Sequence, residues 1–406
     1  MDISPRNSQL YRIFEMIASR PPAKMLSESR AEDFRRGPQR ARGFTLVELL
    51  VSTAILALIV LLVARTVSET GTIVRRTAGK VEQFQSARAG FDRIVARLSQ
   101  ATLNTFYDYD DPIAPRRYLR QSELRFLCGS ADKVLPQNDA ARVSHCVFFC
   151  APLGYSDAAA TRGLDKLLNV TGYYVEYGDD RDARPTFLAQ TLPPRYRFRL
   201  KEYTQPTNVL NLYRYTSGLT AGKLRNESYN GLGWFRDSFS TASNIPTSRT
   251  VAENIVALIL VPRLPKAEEA SLGGSGDLSP LAPRFAYNSR STRPQSTDDP
   301  SNAEQPDSGT STNSSLNPSS QLPPLIQVTM VAIDEASTLR LGFKRGDSDY
   351  FDLSKRFRDT RQLTKDLSSL DPSDHSLTAL LIEKGIRYRI FTTTVSIRAA
   401  KWSRAL

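Results

Sequence analysis

The chain has 406 residues, enough for two or three domains, and 40% of them are apolar, which supports a packed core and excludes an intrinsically disordered protein. Its net charge is +12, yet the 54 Lys and Arg are interspersed with 42 Asp and Glu and never form a block of five or six, a texture that argues against nucleic acid as a partner. Three cysteines exclude a disulfide-dense scaffold, and two histidines, His145 and His375, leave little material for acid–base chemistry near neutral pH.

The first 43 residues carry nine basic and five acidic side chains, with Arg35, Arg36, Arg40 and Arg42 crowded at the end. Residues 44–64 then form a 21-residue apolar run whose one charge is Glu48. At about 1.5 Å per residue, such a run spans the roughly 30 Å hydrocarbon layer of a bilayer. It predicts a transmembrane helix with its arginine-rich side in the cytoplasm and the C-terminal bulk exported. A cleaved secretory signal has a shorter apolar core, about 7 to 15 residues. A plain anchor leaves Glu48 unexplained, since an acid inside such a span costs about 2.5 kcal/mol or more. Cleavage after Gly43 would offset that cost. It would give Phe44 a new α-ammonium four residues before Glu48, on the same helical face.

The stretch "RGFTLVELLVSTAIL" resembles the N-terminus of type IV pilins and type II secretion pseudopilins: Gly43, Phe44, Thr45, Leu46, Val47 and Glu48 follow the pattern, and an apolar helix comes next. The resemblance implies that residues 1–43 are a cytoplasmic leader removed by a prepilin peptidase, which also N-methylates Phe44. Glu48, the fifth mature residue, would pair with the Phe44 amine of a neighbouring subunit as the filament assembles. The leader is longer than is usual for the family, and Met25 offers a later start.

Residues 65–104 place Val67, Val74, Val81, Phe84, Phe91, Val95 and Leu98 at spacings of three, four and seven, which predicts an amphipathic helix continuing the first. Gly71, Gly79 and Gly90 predict local bending or melting within it. From 105 to 264 the texture changes to short runs rich in aromatic and β-branched residues: "ELRFLC", "SHCVFFC", "GYYVEYG", "RYRFRLKEY", "NLYRY" and "NIVALILV". Residues 265–324 turn to Ser, Pro, Asn, Asp and Gly and predict a poorly ordered low-complexity insertion. Two further strand signals, "PLIQVTMVAIDEAS" and "RYRIFTTTVSIRAAKW", return the sheet in 325–406, with a partly helical stretch between them. The predicted class is α+β and pilin-like: a long N-terminal helix, half transmembrane and half amphipathic, packed on a mainly antiparallel sheet. The runs "PLIQVTMVAIDEAS" and "RYRIFTTTVSIRAAKW", with "VAENIVALILVPRL" before the insertion, are similar to the tail of J-type minor pseudopilins and related minor pilins, and the middle section is similar to the Verru_Chthon cassette protein C group.

In "HCVFFC", Cys146 and Cys150 would lie about 13 Å apart along a strand, too far to share one metal ion. The remaining readings are a Cys128–Cys146 disulfide across a hairpin turning near 135–138, or buried free thiols. The acidic stretches "GDDRD" and "RGDSDYFD" lack the spacing of a calcium-binding EF-hand loop and read as solvated turns. No nucleophile elbow, phosphate loop or His-centred metal motif is well placed, so no enzyme, cofactor or metal is expected. The expected role is a minor pilin or pseudopilin of the inner membrane, in a filament for secretion or surface functions. Its expected partners are the prepilin peptidase, other pilin or pseudopilin subunits, an inner-membrane assembly platform and membrane lipid. The competing role is a permanently anchored periplasmic binding or sensor domain.

Overall fold

A computed structural model describes residues 45–109, 113–116, 118–136, 141–161, 163–181, 184–189, 191–210, 212, 232–239, 248–274, 276–301, 303, 316–369 and 371–403. The chain divides into two compact units, the first ending at Thr70 and the second running from Gly71 to Leu406. One helix, α1 (Leu46–Leu98), contributes to both. It continues without a break through Gly71, Gly79 and Gly90, so the predicted melting does not occur.

In the first unit α1 offers a 25-residue apolar segment, Leu46–Thr70, whose side chains are all exposed. Its hydroxyls are turned back on the backbone: Ser52 Oγ donates to the Glu48 carbonyl at 2.6 Å and Thr66 Oγ1 to the Leu62 carbonyl at 2.9 Å. A helix surrounded by lipid needs its polar groups satisfied internally in this way. Arg65 and Glu69 pair at 3.2 Å, one helical turn apart, where the apolar run ends.

Among its described residues the second unit has eleven strands: β1 (Phe106–Tyr109), β2 (Tyr118–Gln121), β3 (Phe126–Ser130), β4 (Ala141–Pro152), β5 (Leu168–Gly178), β6 (Arg197–Gln205), β7 (Ser248–Glu253), β8 (Ile255–Arg263), β9 (Tyr287–Asn288), β10 (Leu325–Ile333) and β11 (Tyr388–Ser396). They form a β1-β2 hairpin, a six-stranded sheet in the order β7-β6-β5-β4-β3-β9, and a three-stranded sheet in the order β11-β10-β8. Every pairing is antiparallel. The α+β expectation holds. Of "NLYRY", only Leu212 is among the described residues, and it is buried.

The two-residue period of a strand divides the six-stranded sheet into two faces. One face, with Phe126, Val147, Phe149, Tyr173, Val175 and Phe198, packs with α1 and the three-stranded sheet in the main core. The other, with Leu127, Phe148, Tyr174 and Tyr203, is covered by Leu210, Leu232, Trp234 and Phe235. Phe148 stacks on Phe235 with ring centroids 3.9 Å apart and lies across Gly172, where a Cβ would stand 2.3 Å from its ring. Any side chain at 172 would displace that aromatic pair.

From α1 the main core receives Ala87, Phe91, Ile94 and Leu98, a helical stripe flanked by the partly buried Phe84 and Val95. Val67 is exposed, and the side chains of Val74 and Val81 lie outside those described. Gly90 brings the helix close to the sheet: a Cβ there would meet Ala252 and Val251 at 3.3 Å and Leu200 at 3.4 Å. Arg93 and Arg97 then reach the carboxylate of Glu202 at 2.9 and 3.2 Å. At 102, the Thr102 amide donates to the Cys150 carbonyl, beside the Val170 to Gln205 end of the β5–β6 pair. Helix α1 therefore runs parallel to β6 and enters this unit at the Arg197 end.

The chain changes sheets between β7 and β8 at Asn254, the asparagine of the "VAENIV" stretch. Its φ of 58° makes a left-handed corner that asparagine tolerates better than most residues. Its amide donates to the Phe198 carbonyl at 2.7 Å, and its Nδ2 to Glu335 Oε2 at 2.7 Å.

Residues 265–324 correct the expectation of a poorly ordered insertion: those described are packed. They form a helix, Lys266–Ser271, and strand β9, which covers the edge of β3. Leu281, Phe285 and Tyr287 enter the main core fully buried, and Leu316 and Leu322 join them. The polar residues bond locally or to the sheet: Ser289 Oγ accepts from the Phe126 amide at 3.0 Å, and Asn288 Nδ2 donates to the Pro300 carbonyl at 2.9 Å. Composition misled because the segment spends its few apolar residues inward. Removing it would take two aromatics, Phe285 and Tyr287, from the core. Residues 304–315 lie outside those described.

Candidate processing and assembly site

Gly43 and Phe44 lie outside the described residues. Thr45 and Glu48 are described, and they form a closed pair at the start of α1. The Thr45 amide donates to Glu48 Oε2 at 3.2 Å and Thr45 Oγ1 donates to the same oxygen at 3.1 Å, while the Glu48 amide donates to Thr45 Oγ1 at 3.2 Å. This is the reciprocal capping box of a Thr-x-x-Glu sequence, which satisfies amides that the first turn of a helix leaves without partners. The carboxylate also stands at the positive end of the helix macrodipole. An acid in an apolar helix thus has a partner within its own chain, Thr45. The signal was present in the sequence as "TLVE", and Thr45 is the residue that the charge argument overlooked.

Residues 38–64 match the family model of the prokaryotic N-terminal methylation motif. With the one helix among the described residues that is long and apolar enough to cross a membrane, this motif makes the chain a membrane-anchored protein with a prepilin-like N-terminus. No curated protein and no solved structure matches the chain. The motif spans Gly43, Phe44 and Glu48, the residues assigned to processing and assembly, and ends where the apolar run ends.

Of the two cysteine readings, the second unit has the buried free thiols and not the Cys128–Cys146 disulfide. Cys128, Cys146 and Cys150 are free and fully buried. Cys128 is paired across the ladder with Val147, and Cys146 with Gly129. A one-residue offset sends the two thiols to opposite faces of the sheet, Cys128 into the main core and Cys146 into the second. Burial raises Cys150 to about 12 and Cys128 higher still, so neither is poised as a thiolate.

The acidic turns serve the backbone. Asp180 accepts from the Arg195 amide at 2.9 Å and from Arg184 at 2.8 Å, and Asp347 accepts from the Lys344 amide at 2.8 Å. Among the described residues no group of three His, Cys, Asp or Glu side chains is placed to hold a metal ion.

His145 lies in a bulge of β4, where three residues oppose one residue of β5 and Ser144 has a φ of 58°. The bulge joins the two sheets: Ser144 Oγ accepts from the Leu258 amide at 3.1 Å, and His145 Nδ1 from the Leu260 amide at 3.2 Å. Nε2, which then carries the proton, donates to the Phe357 carbonyl at 3.1 Å. A cleft of about 300 Å³ opens beside it, with Asp132, Asp349, Arg356 and Arg358 on its walls. Burial lowers the His145 pKa to about 4; Arg358 acts in the same sense, against the Phe357 carbonyl and Asp132. Unfolded, the ring would titrate near 6.5. Its contribution to stability is complete above about 6.5 and is lost as pH falls toward about 4, because the unfolded chain takes up a proton that the folded chain refuses. Denaturant unfolding should show wild type losing about 3 kcal/mol more than His145→Gln across that window. Parallel curves for the two proteins would contradict the assignment of a buried neutral ring.

Proposed function

We propose that the chain is a minor subunit of a pseudopilus or related filament, of the J-type or a similar subgroup. It is cleaved after Gly43 by a prepilin peptidase and N-methylated at Phe44. The observation that carries the reading is the methylation motif over residues 38–64, with Glu48 held at the start of the apolar helix. The arginines before Gly43 keep that side in the cytoplasm, and the sheet unit is exported to the periplasm or the filament. The assembly platform of the inner membrane and other pilin-like subunits are the partners, with no catalysis by this chain. Gly43→Val should abolish cleavage, because a branched side chain does not fit a site matched to glycine. The precursor, larger by its leader, would then accumulate on an immunoblot from cells expressing the peptidase. Normal maturation of the variant would refute the site.

One observation favours a second reading. The capping box gives Glu48 a partner without any neighbouring subunit, as a permanently anchored periplasmic binding or sensor domain would need.

A further inference from the structure

Two sheet edges in the second unit are closed. Strand β9 covers β3, and the outward amides of β8 are taken by the β4 bulge, that of Leu258 by Ser144 Oγ and that of Leu260 by His145 Nδ1. Strand β11 stands at the end of the three-stranded sheet with β10 on one side only. Its register fixes which groups it leaves open. The Ile397 amide donates to the Pro324 carbonyl and the Arg387 carbonyl accepts from the Asp334 amide, so the odd-numbered residues of β11 bond to β10. Tyr388, Ile390, Thr392, Thr394 and Ser396 therefore turn their N–H and C=O groups away from the sheet, where no other described strand meets them. The strand is nine residues long, with no proline and no shift of register. Natural edges are commonly blunted by proline, a bulge or a short strand, and this edge has none of the three.

The charge along it is of one sign. Residues 384–406 contain no acid. Lys384, Arg387 and Arg389 are exposed toward one end of β11, and Arg398 and Lys401 beyond the other. Against them stands Glu383, the last residue of the helix Leu377–Glu383. Strand β10 has no acid, and the acids bordering it are engaged: Asp334 accepts from the Ser337 amide, and Glu335 holds Arg197. On α1, next to the Phe91–Phe391 contact, Asp92 pairs with Arg88. Two copies of β11 laid antiparallel would set Arg387 and Arg389 of one against Arg398 and Lys401 of the other, a like-charge pairing that opposes self-association. An acidic strand is the complement.

We propose that the open edge of β11 receives an extended acidic segment of a partner protein as a fourth strand of the sheet β11-β10-β8. Backbone bonds to the five outward-facing residues give affinity, and the flanking cations select an acidic sequence. The surface lies within the second unit and serves either role of the chain, filament subunit or anchored binding domain.

The test uses the full chain in uncharged dodecylmaltoside micelles and a fluorescein-labelled peptide of alternating Glu and Val, matched in length to β11 and followed by fluorescence anisotropy. It should bind saturably. The same peptide with Lys for Glu, and one N-methylated at two adjacent central residues so that neither of its edges can pair, should each bind about tenfold more weakly or worse. Thr394→Pro removes an outward amide without breaking a bond to β10, so it should keep the wild-type circular dichroism and lose about tenfold in affinity. Arg387→Glu combined with Arg398→Glu should lose as much. Absence of binding by the Glu–Val peptide overturns the proposal. Equal binding of the N-methylated peptide to the wild-type chain overturns strand addition, whatever the fate of Thr394→Pro, and equal binding of the Lys peptide overturns the acidic partner. A dimer in sedimentation that Thr394→Pro dissolves assigns the edge to a second copy of the chain, and also overturns the proposal.

Discussion

Glu202→Ala should destabilise the sheet unit by about 3 kcal/mol, a large part of the 5–15 kcal/mol by which domains are usually stable. The Glu202 carboxylate has no exposed surface and gathers Arg93 at 2.9 Å, Arg97 at 3.2 Å, Arg249 at 2.6 Å and the Tyr173 hydroxyl at 2.6 Å. It ties α1 to β5, β6 and β7 at one point. Removing the acid leaves three cations and a buried hydroxyl without their acceptor. Because the arginines are partly exposed and can turn to water, the loss falls at the lower end of the 3–5 kcal/mol typical of broken buried pairs. Replacing Arg93, Arg97 and Arg249 together by Ala is the harsher change, since it strands the carboxylate itself. Urea unfolding read by circular dichroism tests both. A Glu202→Ala loss below about 0.5 kcal/mol, the scale of a surface pair, would show that the cluster does not hold the helix to the sheet.

The second large effect separates the two readings of Glu48. Glutamine can replace glutamate in a capping box, because its side-chain oxygen still accepts from the Thr45 amide. It cannot neutralise an ammonium. Glu48→Gln should therefore leave the helix, membrane insertion and cleavage intact, yet abolish assembly, because the Phe44 amine of a neighbour loses its counter-charge in low dielectric. That loss is about 3 kcal/mol, or roughly a hundredfold per contact. Glu48→Leu removes cap and charge together and should assemble no better. Glu48→Asp should be intermediate, with the charge kept but its reach shortened. Cysteine crosslinking between membrane helices in native membranes reads the outcome. If Glu48→Gln crosslinks to neighbours as wild type does, the acid is a cap alone and the anchored-domain reading prevails.

Much of the fold was legible because periodicity carries it. The uninterrupted apolar run of α1, its later stripe through Phe91 and Leu98, and the alternating runs that became β3 to β6 follow from side-chain direction along a helix or strand. The cluster at Glu202 was also visible in principle. In "RFRLKEY" the acid shares a face with Phe198 and Leu200, and the two arginines that answer it stand four residues apart on α1. The register of β3 on β4 was not legible. Moving the pairing by one residue changes nothing in composition, yet it sends Cys128 and Cys146 to opposite faces. The order of residues 265–301 was hidden for a related reason. "PLAPRFAYN" is a short apolar cluster in a polar segment, and only the presence of an open β3 edge shows where it goes. At the assembly site the charge argument found Glu48, while the cap that holds it requires Thr45, three residues earlier.

Cleavage of the bond between Gly43 and Phe44 is the step on which maturation and assembly both depend. Mass spectrometry of the mature chain, isolated from membranes of cells that express a prepilin peptidase, reads this directly. The account predicts an N-terminal peptide that begins with N-methyl-Phe44 and continues Thr45, Leu46, Val47, Glu48. A chain that retains residues before Gly43 in those membranes, or one that begins at Phe44 without the methyl group, would contradict it.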